Sequence, residues 1–523
     1  MEIIDLDDNI LHEIFTYLDG KSLLHVSECC QRFEDIFSGS LKLLDKVKVT
    51  ANFPDNQLDP GSQLKELKDR IKGHHQLTRR YQRLELTRLR DEYLSECDEN
   101  YSDFTSLIKK LAQHVRFLNI MSTHILRTDL IDLLLPFKHL QECVLSNLMF
   151  FDDVVPADTD DEIFCTNLKK LQLSQCDFFC LLLFKSCKNL TSLEIADPSY
   201  VRTDVEEFEN FLLQQTDLKE LRLFNFRFNS SYSSSRLAKV PFQLETLVLK
   251  SVYWDISDHC EQFLTSQRSL KKLELRGFCK WITPFSSNYL WFSHVLTHLF
   301  SKNTKLTSVA FDTMFTSLKT LTDNEFLTDV VNKNVAELEY VKGKDDQSEL
   351  LKSFSRIFPN VRHLKFRDFS SDSFSSLQQI QNFQALESLD LTLDPKFLLD
   401  FQITSKGLES FTFCASNENK SADRLTNIFA RNSHVKALSL NIEPLTIEEI
   451  TAITVPLANT LETLSISDLH LNATEAELLT TNFPKLRTLR SDCRLKPEIV
   501  EILREGNVTF EYLEEGFTGH DED

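Results

Sequence analysis

The segment Leu270 to Leu275 reads L-x-x-L-x-L, and the same alternation of apolar and polar positions returns along most of the chain. Leu218 to Leu223, Leu244 to Leu249, Leu386 to Leu391 and Leu461 to Ile466 repeat it, and Val361 to Phe366 and Val435 to Leu440 repeat it with isosteres. The last five copies begin at Leu386, Leu408, Val435, Leu461 and Leu486, giving steps of 22, 27, 26 and 25 residues. Alternation with period two predicts a short strand at each copy, its fourth and sixth positions inward and its third, fifth and seventh on the opposite face. Helical spacing between the strands predicts returns at Val205 to Gln214, Cys260 to Ser266, Glu349 to Phe358, Ile447 to Ile453 and Glu475 to Leu479.

A strand-bearing unit that recurs every ~20–29 residues is the pattern of a leucine-rich repeat. One such unit cannot bury its inward leucines alone, so neighbours must stack and share a continuous core. The expected fold is therefore α/β, a leucine-rich-repeat solenoid with a parallel sheet and helical or irregular returns. Tyr81 to Leu86 reads as a degenerate early copy, and the step from Leu270 to Leu306 is long enough to hold an insertion. Many such repeats carry Asn or Cys at the ninth position, where a polar side chain satisfies loop backbone. Here Cys176 fits, while Phe226, Val252, Phe278 and Phe369 occupy the place elsewhere, so these turns must be tied by other means.

The first forty residues lack the repeat. Asp7 or Asp8 can cap a helix whose apolar residues are Ile10, Leu11, Ile14, Phe15 and Leu18; Ser22 can start a second helix, and Gln31 to Phe37 a third. Three short helices are too small to bury such faces among themselves, so they need a partner surface, either the solenoid or another protein.

This stretch resembles an F-box, which begins Leu-Pro and continues through Ile-Phe-x-x-Leu, a Leu-Leu pair and Val-Cys-x-x-Trp. The counterparts are Leu6, then Ile14-Phe15 with Leu18, Leu23-Leu24, and Cys29-Cys30 with Phe33. Asp7 stands where proline is usual and Phe33 where tryptophan is common; the spacing is kept. The resemblance implies docking on a Skp-family adaptor, and through it on a cullin and its RING subunit. It implies adaptor contacts among Leu6, Ile10, Leu11, Ile14, Leu18, Leu23, Leu24, Cys30 and Phe33, some of which must instead hold the helices together. A leucine-rich array directly behind an F-box implies a substrate receptor that presents client proteins for ubiquitination and degradation. A second reading is a leucine-rich scaffold or inhibitor whose N-terminal helices merely cap the first repeat.

The chain divides on these readings into an F-box at 1–40, a linker with degenerate first repeats at 41–110, the solenoid at 111–510 and an acidic tail at 511–523. The linker is placed at Asn52 to Ser62, followed by a charged helix, Gln63 to Lys72. Among 523 residues, 41 Phe against 10 Gly fit a phenylalanine-packed interior, and no phosphate-cradling glycine motif occurs. A net charge of −21 disfavours nucleic acid and anionic membrane as general partners. Twelve cysteines without a C-x-x-C, no signal-like start and no membrane-length apolar run point to reduced thiols in cytosol or nucleus. His12-Glu13 lacks the second His of a zinc helix, and Cys176, Cys180 and Cys187 read as buried thiols. No catalytic set, cofactor or metal is expected; the protein reads as a binder.

Its client surface is expected among the third, fifth and seventh positions. Arg222, Lys250, Lys272 and Arg276 fall there, with Glu220 and Glu274 interspersed, and Trp254, Trp281 and Trp291 lie in or near the insertion. Arg beside Trp is the composition of interface hot spots, so this patch is the candidate for an acidic or phosphorylated client segment. The serine-rich loop Asn229 to Ser235 is a second candidate contact.

Overall fold

The structure, a computed structural model, describes residues 3, 6–52, 80–90, 99–148, 150, 166–198, 205–228, 237–254, 258–277, 289–312, 330–342, 348–368, 378–393, 407–415, 422–442 and 445–513. The charged helix Gln63 to Lys72, the serine-rich loop, Phe278, Phe369, Trp281, nearly all of the linker and most of the acidic tail lie outside them, as do the side chains of Trp254 and Trp291. The chain divides into two compact units, Met1–Val248 with Val252–Phe263, and Leu249–Ser251 with Leu264–Asp523.

The first unit opens with four helices: α1 (Asp8–Phe15), α2 (Gly20–Cys29), α3 (Gln31–Gly39) and α4 (Leu41–Leu44). Then come β1 (Lys48–Asn52), β2 (Arg83–Arg90), β3 (Phe117–His124), β4 (Glu142–Ser146), β5 (Lys170–Ser174), β6 (Ser192–Ala196) and β7 (Glu220–Phe224). Each of these strands pairs in parallel with the next. The ladder thus starts at β1, inside the stretch assigned to linker and degenerate repeats, and Tyr81 to Leu86 does supply a rung. In the second unit the strands Lys272–Arg276, Ser308–Asp312, Glu337–Lys342, His363–Asp368 and Ser388–Leu393 pair in the same way, each with the next. Ser410–Ala415, Ala437–Asn441, Thr463–Ile466, Thr488–Ser491 and Thr509–Tyr512 continue it. Each unit is therefore built as a leucine-rich-repeat solenoid.

Register makes the core. Leu171, Leu193 and Leu221 stand side by side on β5, β6 and β7, as do Leu173, Ile195 and Leu223 one dyad on, and all are buried. Burying each such side chain stabilises by about 1.5–3 kcal/mol. The predicted returns form helices Val205–Leu213, Asp258–Ser266, Ser348–Ile357, Ile447–Thr454 and Ala473–Asn482. The long step after Leu270 holds the helix Tyr289–Lys302, whose Val295, Leu296, Leu299 and Phe300 are buried. Phe300 meets Phe311 and Phe358 edge to face at 5.8 and 5.0 Å.

Two devices tie the turns. After the strands, Asn147, Gln175, Asp197, Asn225, Ser251 and Gly277 take left-handed backbone, with φ between 47° and 56°. That twist points the amides of Asn147, Gln175, Asp197 and Ser251 at the last carbonyl of the next strand (Ser174, Ala196, Phe224 and Arg276), at 2.7–3.0 Å. Before the strands, buried amides sit three residues ahead of the first apolar position: Gln215, Gln267, Asn303, Asn332 and Asn432. Gln215 Oε1 accepts from Leu190 N at 3.2 Å while its Nε2 donates to Cys187 O at 2.7 Å. Cys176, at the ninth position, donates to the carbonyls of Leu145 and Ser174 at 3.2 Å, as the sequence pattern implies. Cys180 and Cys187 are buried beside apolar neighbours, and burial pushes the Cys180 thiol well up. No described helix is long and apolar enough to cross a membrane.

Candidate functional site

Asp7 caps α1, its carboxylate accepting from Asn9 N at 2.8 Å. The helix then presents two apolar pairs, Ile10-Leu11 and Ile14-Phe15, and successive residues point about 100° apart, so the members of each pair diverge. Leu11 and Phe15 turn inward and are 0% and 2% exposed; Ile10 and Ile14 turn outward at 50% and 36%. Tyr17, one turn on, is 81% exposed, and Ile3 ahead of the helix is 53% exposed. Ile10 and Ile14 at i and i+4 form a stripe along one face of α1, and exposed Tyr17 follows it in the turn just past the helix end.

The inner face is a complete small core. Leu23 from α2, Phe33 and Phe37 from α3, and Leu43, Leu44 and Val47 join Leu11 and Phe15 in burial, with Phe15 and Phe33 edge to face at 5.3 Å. α2 begins at Gly20, two residues before the expected Ser22. The reason is that Asp19 is the cap, accepting from Ser22 N at 2.7 Å, a bond that holds its carboxyl below the usual range. A side chain at Gly20 would run into the Lys46 backbone carbonyl, so the segment after α4 can lie against the start of α2 only with glycine there. Lys46 Nζ donates to the carbonyls of Thr16 and Leu18 in the turn just past α1. Arg32 pairs with Asp8 at 2.6 Å and donates to Leu6 O at 2.6 Å, tying α3 to the entry of α1.

The nine residues expected at an adaptor therefore separate. Leu11, Leu23 and Phe33 belong to the domain's own core, Leu6, Leu18, Leu24 and Cys30 are half-buried, and Ile10 and Ile14 are exposed. Ile3 and Tyr17 are exposed beside them, Tyr17 following Ile10 and Ile14 at helical spacing in the sequence.

Behind the helices, Lys48 of β1 pairs with Glu85 of β2 at 2.6 Å, and Asn119 Nδ2 of β3 donates to the same carboxylate at 2.7 Å. Burial pushes the Glu85 carboxyl up, but these bonds and the Lys48 charge outweigh it, so its pKa lies below the ordinary value. An unfolded chain then binds the proton more readily than the folded one. The stability from this pair is present above about pH 4.3 and lost as pH falls through the lower folded value. Glu85→Gln is expected to lower thermal stability at neutral pH and to flatten its fall on acidification. Parallel melting curves of both proteins at pH 7 and pH 4 check this; a constant difference between them would refute it.

The four predicted cations lie on the sheet faces, paired within the chain. Arg222 of β7 lies 3.3 Å from Glu220. In the second unit Lys250, Lys272 and Arg276 all converge on the buried Glu274, at 3.3, 3.8 and 2.9 Å. The fifth positions run Glu274, Ala310, Glu339, Lys365 and Asp390 along successive strands. Ala310 is small enough for Arg276 to pass over it and reach Glu339 at 2.5 Å, while Lys365 and Arg367 approach Glu339 at 3.5 and 3.8 Å. Burial raises the Asp390 pKa, against the pull of Lys365 and Arg367. Glu339, Lys365, Arg367 and Asp390 occupy the same outward positions on the later strands. This is a cluster of alternating charges, and Asp312 and Glu337 at the same outward positions of their strands add two further carboxylates to it.

Residues 3–44 match the F-box domain family, so the N-terminal helices are an F-box. Comparison of the sequence with curated proteins returns no match. Among solved structures, a chain of the TLR13–ssRNA13 complex aligns with a TM-score of 0.38 at 12% identity, over 85% of this chain and 64% of that one. This chain thus spans less than two thirds of its length. A chain of the yeast Rad7–Elc1 complex aligns with a TM-score of 0.32 at 14% identity, over 78% of this chain and 87% of that one.

Proposed function

We propose that this chain is the substrate-recognition subunit of a Skp–cullin–F-box ubiquitin ligase, acting in cytosol or nucleus. The observation that carries the reading is the stripe of Ile10 and Ile14, with Tyr17 and Ile3 beside it, left in water by an F-box whose inner face is already filled. Aliphatic and aromatic side chains exposed together on and beside α1 favour a partner that buries them, and covering their exposed fractions supplies roughly 3–7 kcal/mol in all. That reaches the lower part of the entropy lost when two proteins associate, which is on the order of 4–15 kcal/mol. The family match supports a Skp-family adaptor as the partner that covers the stripe, and on this reading cullin and RING subunits are recruited through it.

The parallel strands behind the F-box then act as the client platform. The cluster around Glu274 and Glu339 supports an acidic or phosphorylated client segment, for which Lys250, Lys272, Arg276, Lys365 and Arg367 are the anion partners; Arg222 on β7 is a further one. Transfer of ubiquitin belongs to the associated subunits. Affinity purification of the tagged full-length chain with the proteasome blocked tests the reading. Adaptor, cullin and RING subunits are expected together with client proteins that accumulate. Recovery of clients without any cullin would favour a leucine-rich scaffold instead.

A further inference from the structure

Two consecutive turns near the C-terminus bring three unlike donor groups together. Asp468 follows the strand Thr463–Ile466 in left-handed backbone, φ 53°, and Cys493 holds the corresponding place after Thr488–Ser491. The parallel register of Thr463 with Thr488 stacks the two turns. Asp468 Oδ1 lies 3.3 Å from His470 Nε2 and accepts from Cys493 Sγ at 3.4 Å; all three donor atoms lie within 4.8 Å of one another. Ligands around a tetrahedral zinc, with bonds of about 2.0–2.3 Å, stand roughly 3.3–3.8 Å apart. Two of the three edges already have that length, and the exposed His470 ring closes the third by turning.

The scaffold under these groups is fixed without them. Asp492 Oδ1 accepts the Asp468 N–H at 2.7 Å, and Ser491 Oγ accepts the Cys493 N–H at 3.1 Å. Held backbone is what a metal site needs in its supporting layer.

We propose that Asp468, His470 and Cys493 bind one Zn2+ ion, with water in the fourth position. Thiolate and imidazole together select zinc over hard cations such as Mg2+ or Ca2+. As the sulfur–zinc bond forms, the Cys493 thiol gives its proton to solvent, one proton per ion bound. Burial and the neighbouring Asp468 and Asp492 carboxylates push that thiol up to about 11 in the metal-free chain. A bound cation reverses this by attracting all three anionic groups at once. The ion pins two consecutive turns of the second unit, independently of any adaptor.

The test is titration of the chelator-stripped full-length chain with Zn2+ and, as a spectroscopic probe, with Co2+. One ion per chain is expected, with a sulfur-to-cobalt charge-transfer band. Cys493→Ser is expected to lose the band and at least about tenfold in affinity, and His470→Ala a comparable affinity. Cys29→Ser, at an exposed thiol of the F-box, is expected to keep both properties. Absence of a thiolate band in the parent chain, or its survival in Cys493→Ser, overturns the assignment.

Discussion

Replacing Ile10 and Ile14 together by Asp is expected to weaken binding of a Skp-family adaptor to the full-length chain at least about 100-fold. Both side chains stand on the outer face of α1, so in the free protein they make little of the core. Their contribution appears when a partner covers them. Covering what the free protein leaves exposed, 50% of Ile10 and 36% of Ile14, supplies roughly 1.3–2.6 kcal/mol, and two carboxylates forced into the same interface add a desolvation cost. A 100-fold loss corresponds to about 2.7 kcal/mol. Substitutions at exposed positions change folding stability by about ±0.5 kcal/mol each, so the melting temperature should hardly move. Leu11→Asp is the opposite case, because it places an unpaired charge at a fully buried position and should unfold the helices themselves. Surface-immobilised adaptor with parallel melting curves checks both halves. Unchanged binding by the double variant would remove the stripe from the interface.

The second large effect is on folding. Asn303→Leu is expected to destabilise the chain by about 3 kcal/mol, although the two side chains are similar in size. Asn303 is completely buried; its Oδ1 accepts from Leu270 N at 2.9 Å and its Nδ2 donates to Gln267 O at 3.0 Å. Leucine would leave that N–H and that carbonyl buried without these bonds, at about 1–3 kcal/mol each. The main-chain carbonyl of Asn303 accepts from Asn332 Nδ2 at 3.0 Å and stays in place in the variant, so the loss is confined to the two side-chain bonds. Urea denaturation of the two proteins measures it. A difference of about 0.5 kcal/mol or less would mean that the amide row is incidental.

The strands were legible because a period of two with leucine inside leaves few other structures for that sequence. Helical returns were legible for the same reason at their own period, to within three residues at their ends. The turn devices were not. At the left-handed position Asn, Gln, Asp, Ser and Gly all occur, since the requirement falls on backbone φ and several residue types meet it with differing strain. At the slot three residues before the first apolar position, buried amides (Gln215, Gln267, Asn303, Asn332 and Asn432) and buried rings (Phe137, Phe358, Phe383 and Phe483) both recur, and a buried Cys187 and an exposed Pro241 also stand there. A bonded amide and a ring are two physical solutions to one space, so no consensus letter reveals it. Within the F-box, the adjacent apolar pairs Ile10-Leu11 and Ile14-Phe15 conceal which member faces out. The placement of α3 decides it, with Phe33 packed against Phe15. The charge cluster was partly legible: Arg222, Lys250, Lys272 and Arg276 follow from strand position. That Glu274 gathers three of them depends on side chains meeting across strands that are remote in sequence.

Hydrogen exchange of the full-length chain, alone and with a purified Skp-family adaptor, tests the central assignment most directly. The F-box assignment predicts slowed exchange over residues 8–18, where Ile10, Ile14 and Tyr17 become covered, and little change in the strands from Lys272 onward. Adaptor that leaves residues 8–18 exchanging as in the free chain would contradict it.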